Sequence, residues 1–215
     1  MSDRHRPTVP IARIALVAAL VLAGCSSSPP QRTDGYYRLE PQPLVTPTGT
    51  PAPSVLLVKD VSARGFLGGR EIVFRTREEP LLTQRYDDLL WEDPPTQALT
   101  KALVAALRAA RVFRFVVVPA EGARADYLLG GELQRFEHRP TDAPPRVAAT
   151  LHLALVQADS RRTLASRDYR GEEVVDGATP NAMVAAFTRL GARLIGDAVR
   201  NLQAHQPPFQ GTARP

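Results

Sequence analysis

The sequence predicts an α+β fold, in which a mixed or mainly antiparallel sheet is covered on one face by two helices. Short apolar or alternating segments of strand length recur between residues 36 and 174. Two longer segments, at 96–111 and 180–202, carry apolar residues at helical spacing instead. The 215 residues, 44% of them hydrophobic and 23% charged, suffice to bury one such core.

The first half of the predicted domain begins with an aromatic edge strand at 36–39 and a proline-rich loop at 41–53. Proline has no amide hydrogen for a sheet ladder, so the second stretch is an expected loop. The glycine-rich segment 65–69 is an expected turn, since it lacks the Gly-Lys-Ser/Thr that a phosphate loop needs. Strands are predicted at 55–61, 70–75 and, more weakly, 81–86.

The helices are predicted from their apolar faces and their starts. Asp93 and Thr179 each stand before prolines and are expected N-caps. The last helix also carries arginines, so it offers two interpretations: packing on the sheet, which we favour because the strands need covering, or lying on a membrane. The apolar faces are Leu99, Leu103, Ala106, Leu107 and Ala110 in the first helix, and Met183, Phe187, Leu190, Leu194, Ala198 and Leu202 in the last. The remaining strands are expected at 115–118, 127–136, 147–156 and 163–174.

The N-terminal segment resembles a bacterial lipoprotein signal. Three arginines precede an apolar run at 14–23, which is too short to span a bilayer and ends in Leu22-Ala23-Gly24-Cys25. Cys25 is the only cysteine of the chain. We interpret residues 1–24 as a signal peptide and Cys25 as the acylated first residue of the mature chain; the alternative is a short buried helix whose cysteine is incidental.

The mature chain is expected to hang from its acyl chains on a short flexible tether, residues 25–35, with the domain at 36–203 and a disordered tail at 204–215. Ser26 stands where an aspartate commonly retains lipoproteins in the inner membrane, so the periplasmic leaflet of the outer membrane of a Gram-negative bacterium is favoured. Loss of the signal peptide lowers the net charge from +5 to +3. The arginines that remain are scattered, which argues against nucleic-acid binding.

The sequence shows no motif for catalysis, a metal or a cofactor. His138 and His152 have no second ligand at metal spacing, and no Ser, Cys or His motif of the known hydrolases and zinc enzymes occurs. Acidic residues occur as adjacent pairs in the sequence, a pattern typical of solvent-exposed residues and not of a catalytic acid/base pair. We therefore expect a protein that is not an enzyme and binds no metal or cofactor.

Taken together, several segments resemble the ABC-type transport auxiliary lipoproteins that accompany MCE (mammalian cell entry) lipid-transport systems, including the paraquat-inducible type. The resemblance covers roughly residues 36–202. It is carried by Cys25, Tyr36-Tyr37-Arg38-Leu39, the strand at 55–61, the stretch from Phe66 through Ile72 and Tyr86 to Trp91, the helix at 96–111, Ala125-Asp126-Tyr127-Leu128-Leu129 and the last helix.

The resemblance implies a fold similar to the N-terminal domain of the Tol-system propeller protein and a non-enzymatic subunit that docks an MCE-domain periplasmic protein. Whether such a subunit is a monomer or a homo-oligomer is left open. The alternative function is a periplasmic shuttle or chaperone that holds lipid itself, which requires an apolar cavity of a few hundred Å³. The apolar residues do not exceed what one sheet and two helices use, so docking is preferred.

Four aromatic residues are the candidate partner-binding residues, because Tyr and Trp bury large areas at interfaces while keeping a polar group. They are Tyr36, Tyr37, Tyr86 and Trp91. Packing in the core is the competing interpretation for each of them, and it is the commoner fate of large aromatic side chains.

Overall fold

The computed structural model describes residues 33–47 and 49–204, which form one mixed sheet and two long helices. Its nine strands are β1 (Gly35–Tyr37), β2 (Ala52–Val58), β3 (Ser62–Ala63), β4 (Glu71–Phe74), β5 (Gln84–Trp91), β6 (Phe113–Val117), β7 (Tyr127–Arg139), β8 (Arg146–Gln157) and β9 (Thr163–Val174). The helices are α1 (Pro95–Ala110) and α2 (Pro180–Ala204). The predicted α+β class is confirmed.

β7 is the strand around which the sheet is organised. One of its edges pairs in parallel with β2, β3 and β4 in turn, and the other pairs with β8 antiparallel along almost its full length. The sheet runs β1-β5-β4-β7-β2-β6, and β9 extends it beyond β8. Among the described residues, β1, β6 and β9 each have one neighbouring strand, so each leaves an edge unpaired.

Both helices pack against the sheet and form a single hydrophobic core with it. α2 packs on β8, β9 and α1, and α1 also packs on β6. Every residue of the two predicted apolar stripes is buried. The stripe of α2 is therefore inside the protein, which excludes the membrane-lying interpretation of that helix. No helix among residues 33–47 and 49–204 is long and apolar enough to cross a membrane.

The proline-rich loop after β1 packs against α2. A Cβ atom added to Gly191 of this helix would lie 3.0 Å from Cγ of Pro41 and 3.3 Å from Cδ2 of Leu99. Gly191 thus permits the loop, α1 and α2 to approach closely. Leu39, just before the loop, is buried in the same core.

Two local predictions are wrong. The strand expected at 81–86 is β5 at Gln84–Trp91. Leu81 and Leu82 are exposed before the strand begins, and Asp87 and Asp88 within it are both exposed, so the apolar pattern did not mark its bounds. Asp93 does not cap α1. Pro94 holds the cap position without a side-chain hydrogen bond, and the Asp93 carboxylate accepts a hydrogen bond from Nζ of Lys101 at 2.8 Å instead.

Other local predictions are confirmed. The strand at 163–174 is β9, and the turn at 65–69 contains a short 3₁₀ helix, Gly65–Gly68. Oγ1 of Thr179 accepts a hydrogen bond from the amide of Ala182 at 3.2 Å, as an N-cap residue does. The signal peptide, Cys25 and most of the predicted tether and tail lie outside the described residues.

Candidate functional site

The two tyrosines of β1 alternate across the strand, so they have different surroundings. Tyr37 is half-buried and packs against the core, whereas Tyr36 is 55% exposed. The guanidinium carbon of Arg70 lies 4.9 Å from the centroid of the Tyr36 ring. Nε of Arg70 donates to the carbonyl oxygen of Trp91 at 2.8 Å, which holds the cation in place over the ring.

A bidentate ion pair borders this edge of the sheet. Arg38 donates to Glu92 from Nε at 2.6 Å and from Nη2 at 3.1 Å. The pair raises the pKa of Arg38 and lowers the pKa of Glu92, chiefly through the hydrogen bond between them. The described part of β1 therefore presents an aromatic ring, a cation and an unpaired backbone edge to solvent.

Trp91 is a core residue. It is 1% exposed, its ring meets that of Phe187 edge-on at 5.4 Å, and the ring of Phe136 lies 5.9 Å away. Folded in this way, the side chain has no surface to offer a partner. Of the two interpretations of Trp91, its placement fits core packing.

Tyr86 lines a cleft of about 340 Å³ beside the N-terminal end of α2. Its hydroxyl group and Nδ1 of His138 share a hydrogen bond of 2.7 Å. Burial raises the pKa of Tyr86 to about 12 and lowers the pKa of His138 to about 4, so both side chains are neutral near pH 7. We name this the α2 cleft; it is lined by Tyr86, Leu89, His138, Pro140, Pro145, Val175, Gly177, Ala178, Thr179, Pro180 and Met183.

The sequence-based argument against a lipid cavity did not anticipate the α2 cleft. That argument looked for a surplus of large apolar residues. The cleft is lined by residues of the loops before β8 and before α2, among them Pro140, Pro145, Gly177 and Ala178, together with side chains of β5, β7 and α2. Its volume lies at the lower end of the range for small-molecule sites, about 300–1,000 Å³.

A polar groove lies where β4, β7 and the Gly65–Gly68 turn meet. Its deepest acid is Glu137, which accepts from Arg75 at 2.9 Å and pairs with Arg135 at 2.7 Å. Oγ1 of Thr83 accepts a further hydrogen bond from Arg75 at 2.7 Å. Arg64, which also lines the groove, pairs with Glu132 at 3.0 Å, so each charged residue of the lining has an ionic partner, as in a structural network.

The edge strand β6 carries the second exposed aromatic residue with a neighbouring cation. Phe115 is 54% exposed, and the guanidinium carbon of Arg114 lies 5.4 Å from its ring centroid. In exposure and in cation contact Phe115 matches Tyr36, although the two strands lie at opposite ends of the strand order.

The pairing of β8 with β9 brings together a serine, a histidine and an aspartate that the sequence does not show as a motif. His152 Nδ1 lies 2.7 Å from Asp168 Oδ1, and its Nε2 lies 3.3 Å from Oγ of Ser166. Hydrogen bonds from His152 and Arg170 lower the pKa of Asp168. All three side chains are at least partly exposed, and Arg170 also donates a hydrogen bond to Asp168, so we interpret the group as a surface network.

Among the described residues, no cluster of three or more His, Cys, Asp or Glu side chains has the geometry to hold a metal ion.

Comparison with known proteins identifies a family and a fold. The model of the ABC-type transport auxiliary lipoprotein component family matches residues 37–198. Protein XCC0632 from Xanthomonas campestris, a DUF330 protein of known structure, is 22% identical with a TM-score of 0.70, covering 80% of this chain and 98% of its own. A solved structure of an uncharacterised protein is 21% identical with a TM-score of 0.61, covering 79% and 99%. No curated protein sequence matches the chain.

Proposed function

Because the chain belongs to the family of ABC-type transport auxiliary lipoprotein components, we propose that it is a non-catalytic docking subunit of an ABC-type lipid transporter. Its partner is an MCE-domain periplasmic protein, which conducts phospholipid between the inner and outer membranes. Acyl chains on Cys25 anchor the subunit in the periplasmic leaflet of the outer membrane.

The observation that carries the docking proposal is the aromatic edge formed by Tyr36 and Arg70. Tyrosine and arginine are among the residues that contribute most to binding at protein interfaces. Here a tyrosine is exposed on an edge strand, with an arginine fixed over its ring by the backbone of Trp91. Because both side chains are already held in place, binding would cost little ordering entropy.

The position of this edge in the chain suits a membrane-anchored adaptor. Gly35, where β1 begins, is ten positions after Cys25. A fully extended chain of ten residues reaches at most about 33 Å. The docking edge therefore stays near the membrane, where the end of a lipid conduit must meet the bilayer.

Substitution of the exposed tyrosine tests the proposal, with Phe115 as a matched control on the opposite edge strand. The full-length lipoprotein is cross-linked in membranes, and MCE-domain proteins bound to it are identified and quantified by mass spectrometry. We expect Tyr36→Ala to weaken capture by about 2 kcal/mol, or roughly thirty-fold in affinity. Phe115→Ala should capture the partner as the unsubstituted chain does.

Two results would contradict the proposal. If neither variant nor the unsubstituted chain captures an MCE-domain protein, the partner is wrong. If Phe115→Ala loses capture and Tyr36→Ala keeps it, the docking edge is β6 and not β1.

A further inference from the structure

We propose that the α2 cleft binds the end of a phospholipid acyl chain, a ligand that docking alone does not require. The cleft lies beside the start of α2 and is lined by no Asp, Glu, Lys or Arg. Its larger apolar side chains are Leu89, Val175 and Met183. An uncharged, apolar lining favours a ligand segment of the same kind.

The few polar groups of the lining are already engaged or buried. Tyr86 and His138 are hydrogen-bonded to each other, and the Thr179 hydroxyl oxygen accepts from the amide of Ala182. Nε2 of His138 has no hydrogen-bond partner among the described residues, yet it is itself buried. The lining can form almost no hydrogen bonds with a ligand. The ligand segment that enters the cleft must therefore have no polar groups that require hydrogen bonds.

This property separates an acyl chain from a polypeptide as the occupant. Every inserted residue other than proline brings a backbone N–H and C=O, and burying these without partners costs free energy. A hydrocarbon chain brings no such groups. An acyl chain that has left the bilayer would expose its methylenes to water, and each methylene that the cleft covers instead contributes about 0.8 kcal/mol.

The walls hold the cleft open before any ligand enters. Pro140, Pro145 and Pro180 contribute to the lining, and the pyrrolidine ring of each fixes its backbone φ angle. A preformed site loses little conformational entropy on binding. The volume of about 340 Å³ suits a chain end, while the lipid headgroup remains in solvent.

Ala178 provides a substitution that fills the cleft without disturbing the core. It lines the cleft, is exposed and lies in the loop before α2. Ala178→Trp occupies the cleft with a large side chain, and Ala178→Asp places a charge in it. Ala120, an exposed residue of the 3₁₀ turn Pro119–Glu121 that does not line the cleft, provides the matched controls Ala120→Trp and Ala120→Asp.

The probe is phosphatidylethanolamine with a diazirine near the end of one acyl chain, incorporated into vesicles that carry the full-length lipoprotein. After illumination, we expect labelled peptides from residues 140–145 and 175–183. Ala178→Trp and Ala178→Asp should each lower this labelling at least tenfold, and the Ala120 variants should leave it unchanged. A probe with the diazirine next to the headgroup should label these peptides far less.

Labelling elsewhere only, or equal labelling of the unsubstituted chain and both Ala178 variants, would overturn the inference. Labelling of these peptides by the headgroup probe that is as strong as labelling by the chain-end probe would overturn it as well. The Ala178 variants should still capture the MCE-domain protein, because Tyr36 is unchanged. The Ala178 variants therefore test lipid binding, and Tyr36→Ala tests docking, so failure of one proposal can be distinguished from failure of the other.

Discussion

The burial of Trp91 predicts that this side chain contributes to stability and not to partner binding. The indole lies against Phe187 and Phe136 and is almost fully buried, so truncation would leave a large cavity. We expect Trp91→Ala to lower the free energy of unfolding by about 3 to 5 kcal/mol. Tyr36→Ala, which removes an exposed ring, should change it little. Denaturant unfolding of the two variants measures the difference, and similar losses in both would contradict these placements.

His138 makes stability depend on pH. Its folded pKa of about 4 lies below the ordinary value of 6.5, because burial disfavours the charged ring. Between these values the unfolded chain binds more protons than the folded chain, so stability is full above about pH 6.5 and falls as the pH drops toward 4. From pH 7 to pH 5 we expect this residue alone to lower the free energy of unfolding by about 1 to 2 kcal/mol.

His138→Gln provides the comparison, because glutamine is polar but does not titrate. The difference in unfolding free energy between pH 7 and pH 5 should shrink by that amount in the variant, whatever its absolute stability. Parallel pH profiles for the two proteins would show that the ring is not kept neutral by burial.

At the scale of elements, the two helix starts look alike in sequence but differ in structure. Thr179 caps α2 through its side chain, whereas Asp93 leaves the start of α1 uncapped and pairs with Lys101. We expect Thr179→Ala to cost about 1 kcal/mol of unfolding free energy. Asp93→Ala, which removes only an exposed ion pair, should have little effect on unfolding. If chemical denaturation ranks the two variants in the opposite order, the assignment of the caps is wrong.

Two edge strands of similar composition, β1 and β6, are candidates for the docking edge. β1 and β6 are both short, and each carries an exposed aromatic ring next to an arginine. They differ in their place in the chain: β1 is the first strand of the described residues, and β6 follows α1. This difference makes Tyr36 and Phe115 a controlled pair for locating the docking face.

At the scale of the whole molecule, the N-terminal prediction is independent of the fold. Cys25 is the only thiol, and its sulfur is the expected site of acylation. Cys25→Ala should therefore abolish the lipid mass adduct and block lipoprotein-type processing, which intact-mass spectrometry and membrane fractionation measure. A variant that keeps the adduct and still sediments with membranes would show that Cys25 is not the anchor.

The sequence by itself determined the features that depend on local pattern. The apolar stripes of α1 and α2, the strand β9 and the cap at Thr179 are all encoded within a few turns or residues. Periodicity reports which face of such an element is buried, because burial selects residues at the repeat of the backbone. The overall α+β class follows from the order of these elements.

Only the tertiary structure decided which distant residues meet. Tyr86 and His138 are 52 positions apart, and they face each other because β5 and β7 are both paired with β4. Sequence pattern carries no record of that pairing. The same holds for the Arg70 cation over Tyr36 and for the α2 cleft, whose walls come from separate loops and elements. Burial of Trp91 and exposure of Tyr36 likewise follow from strand pairing and helix packing, since both aromatic residues lie in strands that propensity alone describes in the same way.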